Sequence, residues 1–191
     1  RLEKSRQWAV RMMHEAQMHE HNSFLTLTYD EDHVPSDSSL VRTDVPDFIK
    51  RLRKKLEHRI RYFHCGEYGA SGDRPHYHVA LFGHSFQDDR TKWTTRQGNQ
   101  VWRSEALESL WHHGFSEIGG LNFKSAAYIA RYVTKKINIS EHSSRKAVEE
   151  YYSRYERTNA FTGEVQEVEP EYATMSLKPG IGEPWLRKYL S

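Results

Sequence analysis

Two histidines on one predicted strand are the side chains in this sequence best suited to holding a metal ion. His76 and His78 lie in GDRPHYHVALFGH, where a turn-rich segment runs directly into an apolar one. Because side chains alternate along a β-strand, both imidazoles project from the same face. The pattern therefore indicates a two-imidazole metal site. The alternative is a pair of half-buried histidines that only satisfy their own hydrogen bonds.

A carboxylate on the preceding predicted strand completes such a site. Glu67 lies near the end of IRYFHCGEY, and the GASGDRP that follows is typical of a hairpin between strands Ile60 to Tyr68 and His76 to Gly83. Two neutral imidazoles and one carboxylate leave coordination positions open. This suits a catalytic Mn²⁺ or Mg²⁺, or alternatively Zn²⁺, better than a closed structural site. The other interpretation of Glu67 is a surface charge.

A predicted helix, Lys124 to Ile137, carries two tyrosines suited to acting on a phosphate. At about 100° per residue, Tyr128 and Tyr132 project from the side opposite the apolar stripe. The cations on the same side are Arg131 and Lys135. A phenol has a pKa of ~10, so tyrosine is a poor nucleophile at neutral pH unless cations stabilise the phenolate. A divalent ion with paired tyrosines therefore predicts cleavage of a DNA strand through a covalent phosphotyrosine.

A basic stretch follows the apolar face of another predicted helix, which begins at Thr43 or Asp44. The stretch KRLRKKLEHRIR contains seven lysines and arginines against one acid, Glu57. It is either a solvated helix face or a stripe that follows DNA phosphates. The candidate DNA-binding residues are Lys50, Arg51, Lys54 and Lys55, with Lys136 after the tyrosines.

Composition narrows the classes of function. A length of 191 residues favours one domain, and a net charge of +2 means that any DNA binding must come from local clusters. The single cysteine, Cys65, excludes an internal disulfide. Because no run of ~18 apolar residues is present, we predict no membrane span. These features are typical of a soluble protein from a reducing compartment.

The order of predicted elements indicates an α+β sandwich with a mainly antiparallel sheet of about five strands and helices packed on it. The expected strands are Ser23 to Tyr29, Ile60 to Tyr68, His76 to Gly83, Gly114 to Leu121 and Tyr172 to Lys178. We expect a loop over Ser85 to Gln100 and a helix over Val101 to His113. Residues 138–171 are charged and weakly patterned, and we interpret them as a polar insertion with one marginal helix, Ser144 to Tyr155.

With these motifs in this order, the chain resembles the HUH endonucleases, and more closely the replication initiators of small single-stranded DNA phages of the Microviridae, gokushovirus type. The motifs are FLTLTYD at Phe24 to Asp30, PHYH at Pro75 to His78 and YIARYVTKK at Tyr128 to Lys136. The stretch MSLKPGIG near the C-terminus is also similar. A His-x-His pair or a tyrosine pair alone is unspecific, but the ordered set with Glu67 upstream is specific.

The resemblance implies that His76 and His78 are metal ligands and that Glu67 is the third. It also implies that Tyr128 and Tyr132 are the two alternating nucleophiles of rolling-circle replication. One tyrosine would cut single-stranded DNA and keep the 5′ phosphate, and the other would cut the regenerated site. The basic residue that follows the tyrosines in this family is matched by both Lys135 and Arg131, and the choice stays open.

The resemblance also implies a five-stranded antiparallel fold. We therefore interpret residues 1–191 as a single HUH nuclease domain, and we expect it to be part of a longer chain. The implied partners are single-stranded DNA at the replication origin and host replication proteins, in the cytoplasm of an infected bacterium, without a membrane.

Three other functions compete with this interpretation. Plasmid relaxases and transposases use the same HUH chemistry. A histidine-based nucleotide hydrolase should have a third histidine within HYHVA, which this sequence lacks. A non-catalytic DNA-binding module would use the basic helix but would leave the metal site and the tyrosine face unexplained.

Overall fold

The computed structural model describes residues 2–69, 74–134, 143–159 and 161–190. The helices in these residues are α1 (Leu2–Ala16), α2 (Asp44–Lys55), α3 (Glu105–Leu110), α4 (Phe123–Thr134), α5 (Arg145–Tyr155) and α6 (Glu183–Tyr189). The strands are β1 (Asn22–Thr28), β2 (Arg61–Tyr68), β3 (Pro75–Phe82), β4 (Thr91–Arg96), β5 (Asn99–Arg103), β6 (Ser116–Gly119), β7 (Glu156–Thr158), β8 (Val165–Glu167) and β9 (Tyr172–Met175).

Seven of these strands form one antiparallel sheet in the order β4-β5-β6-β1-β3-β2-β9, while β7 and β8 form a separate hairpin. The five strands that the sequence predicts are β1, β2, β3, β6 and β9. They are contiguous within this order. The mainly antiparallel α+β class is therefore confirmed, and the predicted strands form one block at the centre and one edge of the sheet.

Each face of the sheet is covered by its own apolar core, because side chains alternate along the strands. On β3, Tyr77 and Val79 pack in the core that includes α2 and α3. Ala80 and Phe82 pack in the other core, with α1 and α4. His76 and His78 share the direction of Ala80, so they lie on the α1 and α4 face.

The prediction of about five strands missed a hairpin. Residues 85–100 were expected to be a loop, but they contain β4 and the start of β5, and residues 101–103 continue β5 instead of opening a helix. Most of β4 is exposed at the edge of the sheet, so no apolar alternation marks it. The available signal is the turn Gln97-Gly98, where both residues have positive φ, as a two-residue hairpin turn requires.

The expected insertion at residues 138–171 is a folded segment wherever the structure describes it. The predicted marginal helix is present as α5, and the Ser144 hydroxyl accepts a hydrogen bond from the Ala147 N–H at its start. Tyr155 and Val168 are only 2% and 1% exposed, so the segment has apolar anchors. Its residues 138–142 lie outside the described part of the chain.

A buried ion pair joins α1 to β2 and to the turn before α6. Arg61 Nε donates to Glu15 Oε1 at 2.7 Å, and the Gly182 N–H donates to Glu15 Oε2 at 2.8 Å. The Glu15 side chain is fully buried. Burial favours a raised pKa for Glu15, but hydrogen bonds from His19 and Gly182 and the pairing with Arg61 outweigh it and hold the pKa below its usual range.

Replacing Glu15 with glutamine is expected to lower the free energy of unfolding by about 3–5 kcal/mol, because Arg61 would then be a buried charge without its partner. Urea denaturation would measure this loss at neutral pH. Since the pKa is lower in the folded state, the stabilisation is present at neutral pH and is lost as the pH falls through that pKa. Glu3→Gln, on an exposed side chain of α1, is the control. Equal unfolding midpoints for both variants would contradict the prediction.

Candidate active site

The pairing of β2 with β3 brings the three predicted metal ligands together. Glu67 lies directly opposite His76 in the register, and Cys65 lies opposite His78. Directly paired residues project from the same face of a sheet. Glu67 Oε1 is 2.8 Å from His76 Nε2 and 3.1 Å from His78 Nε2, and one ligand atom from each residue lies within 4.8 Å of the others.

The far side of each imidazole has its own hydrogen-bond partner. His76 Nδ1 donates to the Arg74 carbonyl at 3.2 Å, and His78 Nδ1 is 3.1 Å from Thr26 Oγ1. These contacts turn both Nε2 atoms toward Glu67, as outer partners orient histidine ligands in metal sites. Glu67 Oε2 is buried and has no hydrogen-bond partner among the described residues. The set of donors therefore fits a divalent cation held with open coordination positions.

Thr26 is a residue of this site that the sequence analysis did not single out. It lies on β1, directly opposite His78 in the antiparallel pairing with β3. The alternation of FLTLTYD places Thr26 on one face with Phe24 and Thr28, and that pattern is visible in the sequence. Which histidine Thr26 contacts depends on the register between β1 and β3, and no local pattern encodes that register.

The three ligand candidates share charge and protons. Burial favours a raised pKa for Glu67, but hydrogen bonds from His76, His78 and Tyr128 outweigh it and hold the pKa far below its usual range. Burial opposes protonation of His76, whereas its hydrogen bond to Glu67 raises the pKa overall. The cluster thus holds a carboxylate with a proton on an adjacent imidazole. Because metal ligands must be deprotonated, cation binding here would compete with that proton.

Tyr128 lies in contact with this cluster. Its hydroxyl donates to Glu67 Oε1 at 2.6 Å, and its ring meets His78 edge-on with the ring centroids 5.3 Å apart. The side chain is 37% exposed, so it is accessible from outside. Burial and the hydrogen bond to Glu67 raise the pKa of Tyr128 above its usual range. In this arrangement the phenol is protonated and points at the candidate metal ligands.

Tyr132 differs from the expectation that both tyrosines avoid the apolar core. It is 3% exposed and belongs to the core that α4 forms with α1. It also borders a cavity of about 470 Å³ whose other walls include Glu67, Tyr128 and the side chains of Arg154 and Arg157. The segment that begins with α5 therefore covers this side of α4. Periodicity within α4 carries no information about that cover.

Arg131 is the predicted cation that the structure describes. Its Cζ lies 4.3 Å from the centroid of the Tyr128 ring and 5.8 Å from that of Tyr132. It is thus placed between the two tyrosines. Lys135 and Lys136 lie outside the described residues, so the choice between Arg131 and Lys135 is not decided by these contacts.

The predicted DNA-binding face lies away from the tyrosines. Lys50, Arg51, Lys54 and Lys55 are on α2, which covers the opposite face of the sheet. Lys50 pairs with Asp47 at 2.8 Å. Arg51 is half-buried and donates through Nε to the Leu110 carbonyl at 3.0 Å. The structure does not bring this face together with the metal cluster.

Changing Lys54 and Lys55 to alanine is expected to weaken binding of single-stranded DNA about equally for every sequence. The slope of log affinity against log salt should fall by about 1 to 2, because two phosphate contacts would be lost. Covalent attachment should be retained, since α2 is on the other face. Titrations at several salt concentrations would measure the slope, with Lys4→Ala as the control. Wild-type affinity and slope in the double variant would show that the face is only solvated surface.

Residues 22–137 match the family model of the replication-associated protein ORF2. The matched region includes all three motifs, and it covers more than half of the chain. The chain belongs to this family. The resemblance to Microviridae replication initiators is thereby confirmed.

This replication-associated protein has curated relatives among the phages. It is 38% identical to replication-associated protein VP4 of Bdellovibrio phage phiMH2K over 99% of the chain and 55% of the relative. It is 36% identical to replication-associated protein ORF2 of Spiroplasma virus 4 over 78% of the chain and 50% of the relative. The chain thus spans about half the length of these relatives.

A third relative is replication-associated protein ORF4 of Chlamydia phage 1, at 32% identity over 75% of the chain and 39% of the relative. No solved structure matches the replication-associated protein. In the described part of the chain, every helix is too short or too polar to cross a bilayer.

Proposed function

We propose that this replication-associated protein nicks and rejoins single-stranded DNA at a phage origin through a covalent 5′-phosphotyrosine, with HUH-type chemistry and a divalent metal. The observation that carries the proposal is the convergence of three side chains on one carboxylate. Tyr128, His76 and His78 all hydrogen-bond to Glu67 Oε1. A nucleophile is therefore within contact of a set of metal ligands.

In this proposal His76, His78 and Glu67 hold the cation, which is Mn²⁺ or Mg²⁺ with Zn²⁺ as the alternative. When bound, the cation polarises a phosphate oxygen and offsets the charge of the pentavalent transition state. It also offsets the negative charge of Glu67, which keeps the Tyr128 phenol protonated in its absence.

Tyr128 is the nucleophile of the first cut. Its oxygen forms a bond to phosphorus, and the bond from phosphorus to the 3′ oxygen breaks. The phenol proton leaves along the hydrogen bond to Glu67, and the departing 3′ oxygen takes a proton from solvent. The 5′ phosphate stays on the enzyme, and the 3′ hydroxyl becomes available to a host polymerase.

Rejoining needs no ATP, because the phosphotyrosine ester conserves the energy of the cleaved bond. Tyr132 is the second nucleophile, which cuts the regenerated site while Tyr128 is still occupied. Its cavity, with Arg154 and Arg157 on the wall, supports this role because a second phosphate requires cations. Arg131 is placed to stabilise the phenolate of either tyrosine.

Replication is favoured over mobilisation or transposition because the relatives VP4, ORF2 and ORF4 are named as replication-associated proteins. A purely DNA-binding module needs no tyrosine hydroxyl against two histidines and a buried carboxylate. A nucleotide hydrolase would need the third histidine that HYHVA lacks.

The test is a search for the covalent adduct. The protein is incubated with Mn²⁺ and single-stranded oligonucleotides that tile the genome encoding it, and the mixture is denatured and separated on a gel. We expect DNA to migrate with protein for the tile that contains the origin, and only when EDTA is absent. Failure of every tile to form an adduct would overturn the proposal.

A further inference from the structure

A second cavity lies on the other side of Tyr128. It measures about 750 Å³, within the range of ~300–1,000 Å³ typical of ligand sites. One wall is the β4-β5 hairpin, and the opposite wall is the first half of α4 from Lys124 to Tyr128. His78 and Phe24 close its inner end. We call this cavity the hairpin groove.

The hairpin groove combines an apolar floor with a cationic rim. Phe24, Val101 and Ala127 supply apolar surface, and the Phe24 ring lies nearly parallel to His78, with the centroids 5.4 Å apart and the planes 23° apart. Lys124 and Arg131 are exposed at the rim. A flat apolar surface beside cations matches the chemistry of one unpaired nucleotide, whose base stacks while its phosphate is attracted to the rim.

The hairpin is held in place independently of the metal cluster. Arg96 donates to Glu117 of β6 at 2.6 Å, and Gln100 donates to the Thr94 carbonyl across the hairpin at 3.0 Å. The hairpin lies outside the block of five strands that carries the ligands. Its amide side chains Gln97 and Asn99 also line the groove and offer donors and acceptors to the edge of a base.

We propose that the hairpin groove binds a base of single-stranded DNA next to the phosphate that Tyr128 attacks, with Phe24 as the stacking residue. The inference rests on the proposed function, because the neighbouring phosphate gives the base its place. It assigns the β4-β5 hairpin to recognition of the nucleotides that flank the cut, separately from the residues that perform the cut.

Gly120 offers a way to block the groove without disturbing the fold. It lines the groove, and a Cβ built on it would meet no atom within 4 Å. Gly120→Leu therefore places an apolar side chain in the space that the base would occupy. Ser109→Leu is the matched control, because it adds the same side chain at an exposed position of α3, which packs on the opposite face of the sheet.

The experiment compares two probes of about 15 nucleotides, oligothymidylate and an abasic strand with the same number of phosphates. Affinities are measured by fluorescence anisotropy in EDTA, so that no strand is cut. We expect the wild-type protein to bind the thymidylate probe about 5- to 150-fold more tightly than the abasic probe, as stacking of a base predicts. Gly120→Leu should bring this ratio close to one by weakening only the thymidylate complex. Ser109→Leu should keep the wild-type ratio.

Three outcomes would overturn the inference. They are a wild-type ratio near one, an unchanged ratio in Gly120→Leu, and equal weakening of both probes, which would mean that the groove holds only backbone. Photocrosslinking of wild-type protein to iodouracil-containing DNA gives a test that needs no variant. A crosslink at Phe24 or the hairpin supports the inference, and crosslinks confined to α2 contradict it. Since binding is measured without cleavage, failure of the nicking proposal would appear separately, as a missing adduct.

Discussion

Tyr128→Phe is expected to reduce first-round covalent attachment of DNA by about 10³-fold or more, as loss of a catalytic nucleophile does in other enzymes. The substitution removes only the hydroxyl that donates to Glu67 at 2.6 Å. Tyr132 is buried, so it cannot replace Tyr128 without a movement that uncovers it. The rate of adduct formation on the origin oligonucleotide, followed on denaturing gels, measures the effect.

The matched variant for this prediction is Tyr132→Phe, which removes the same atom one helical turn away. It should keep the first cut and lose the repeated cycle of cutting and rejoining, and the double variant should form no adduct. Tyr151→Phe is the control, since its hydroxyl pairs with Glu167 at 2.6 Å away from the cluster. Mass spectrometry of the trapped peptide locates the ester. An adduct on Tyr151, Tyr152 or Tyr155 would show that the tyrosines are wrongly assigned.

Replacing both His76 and His78 with alanine is expected to abolish cleavage and to lower the affinity for Mn²⁺ by well over the ~10–100-fold that loss of an outer partner costs. Two of the three ligand atoms within 4.8 Å would be removed. Glu67→Gln should also weaken binding, because the amide keeps the shape and loses the charge. Calorimetric titration with Mn²⁺ measures the affinity, and circular dichroism shows whether the fold is retained.

His112→Ala is the control for the histidine variants, since this imidazole is exposed and stacks near His113 instead of the cluster. It should leave Mn²⁺ affinity unchanged. Cleavage by the wild-type protein that continues at full rate in excess EDTA would rule out the metal. Retention of wild-type Mn²⁺ affinity in the double variant would place the cation elsewhere.

The trio of Glu67, His76 and His78 was predictable because one short hairpin contains all three. Alternation along β3 determines the common face of the histidines, and the turn between Gly69 and Pro75 brings Glu67 opposite them. Tyr128 was identifiable on α4 by helical periodicity. Its contact with Glu67, however, depends on how α4 packs on the sheet, which no local pattern contains.

The remaining differences have the same physical origin. The apolar face of α2 was correctly identified, but a helix presents the same pattern whichever side of a sheet it covers, so the distance of Lys54 and Lys55 from the tyrosines could not be inferred. Tyr132 is buried by residues that follow α4 in the chain. The β4-β5 hairpin went unrecognised because an exposed edge hairpin needs no apolar alternation to be stable.

The position of β3 in the sheet has a mechanical consequence. It is hydrogen-bonded to β1 on one side and β2 on the other, so exposing the backbone of His76 or His78 requires separating two ladders at once. β4 has one partner, β5, and a register irregularity between Lys92 and Thr94. Opening of the hairpin should therefore need much less free energy than opening of β3, as native-state amide exchange distinguishes. A strand of DNA could then be admitted or released by loosening one edge of the molecule while the nicking centre keeps its geometry.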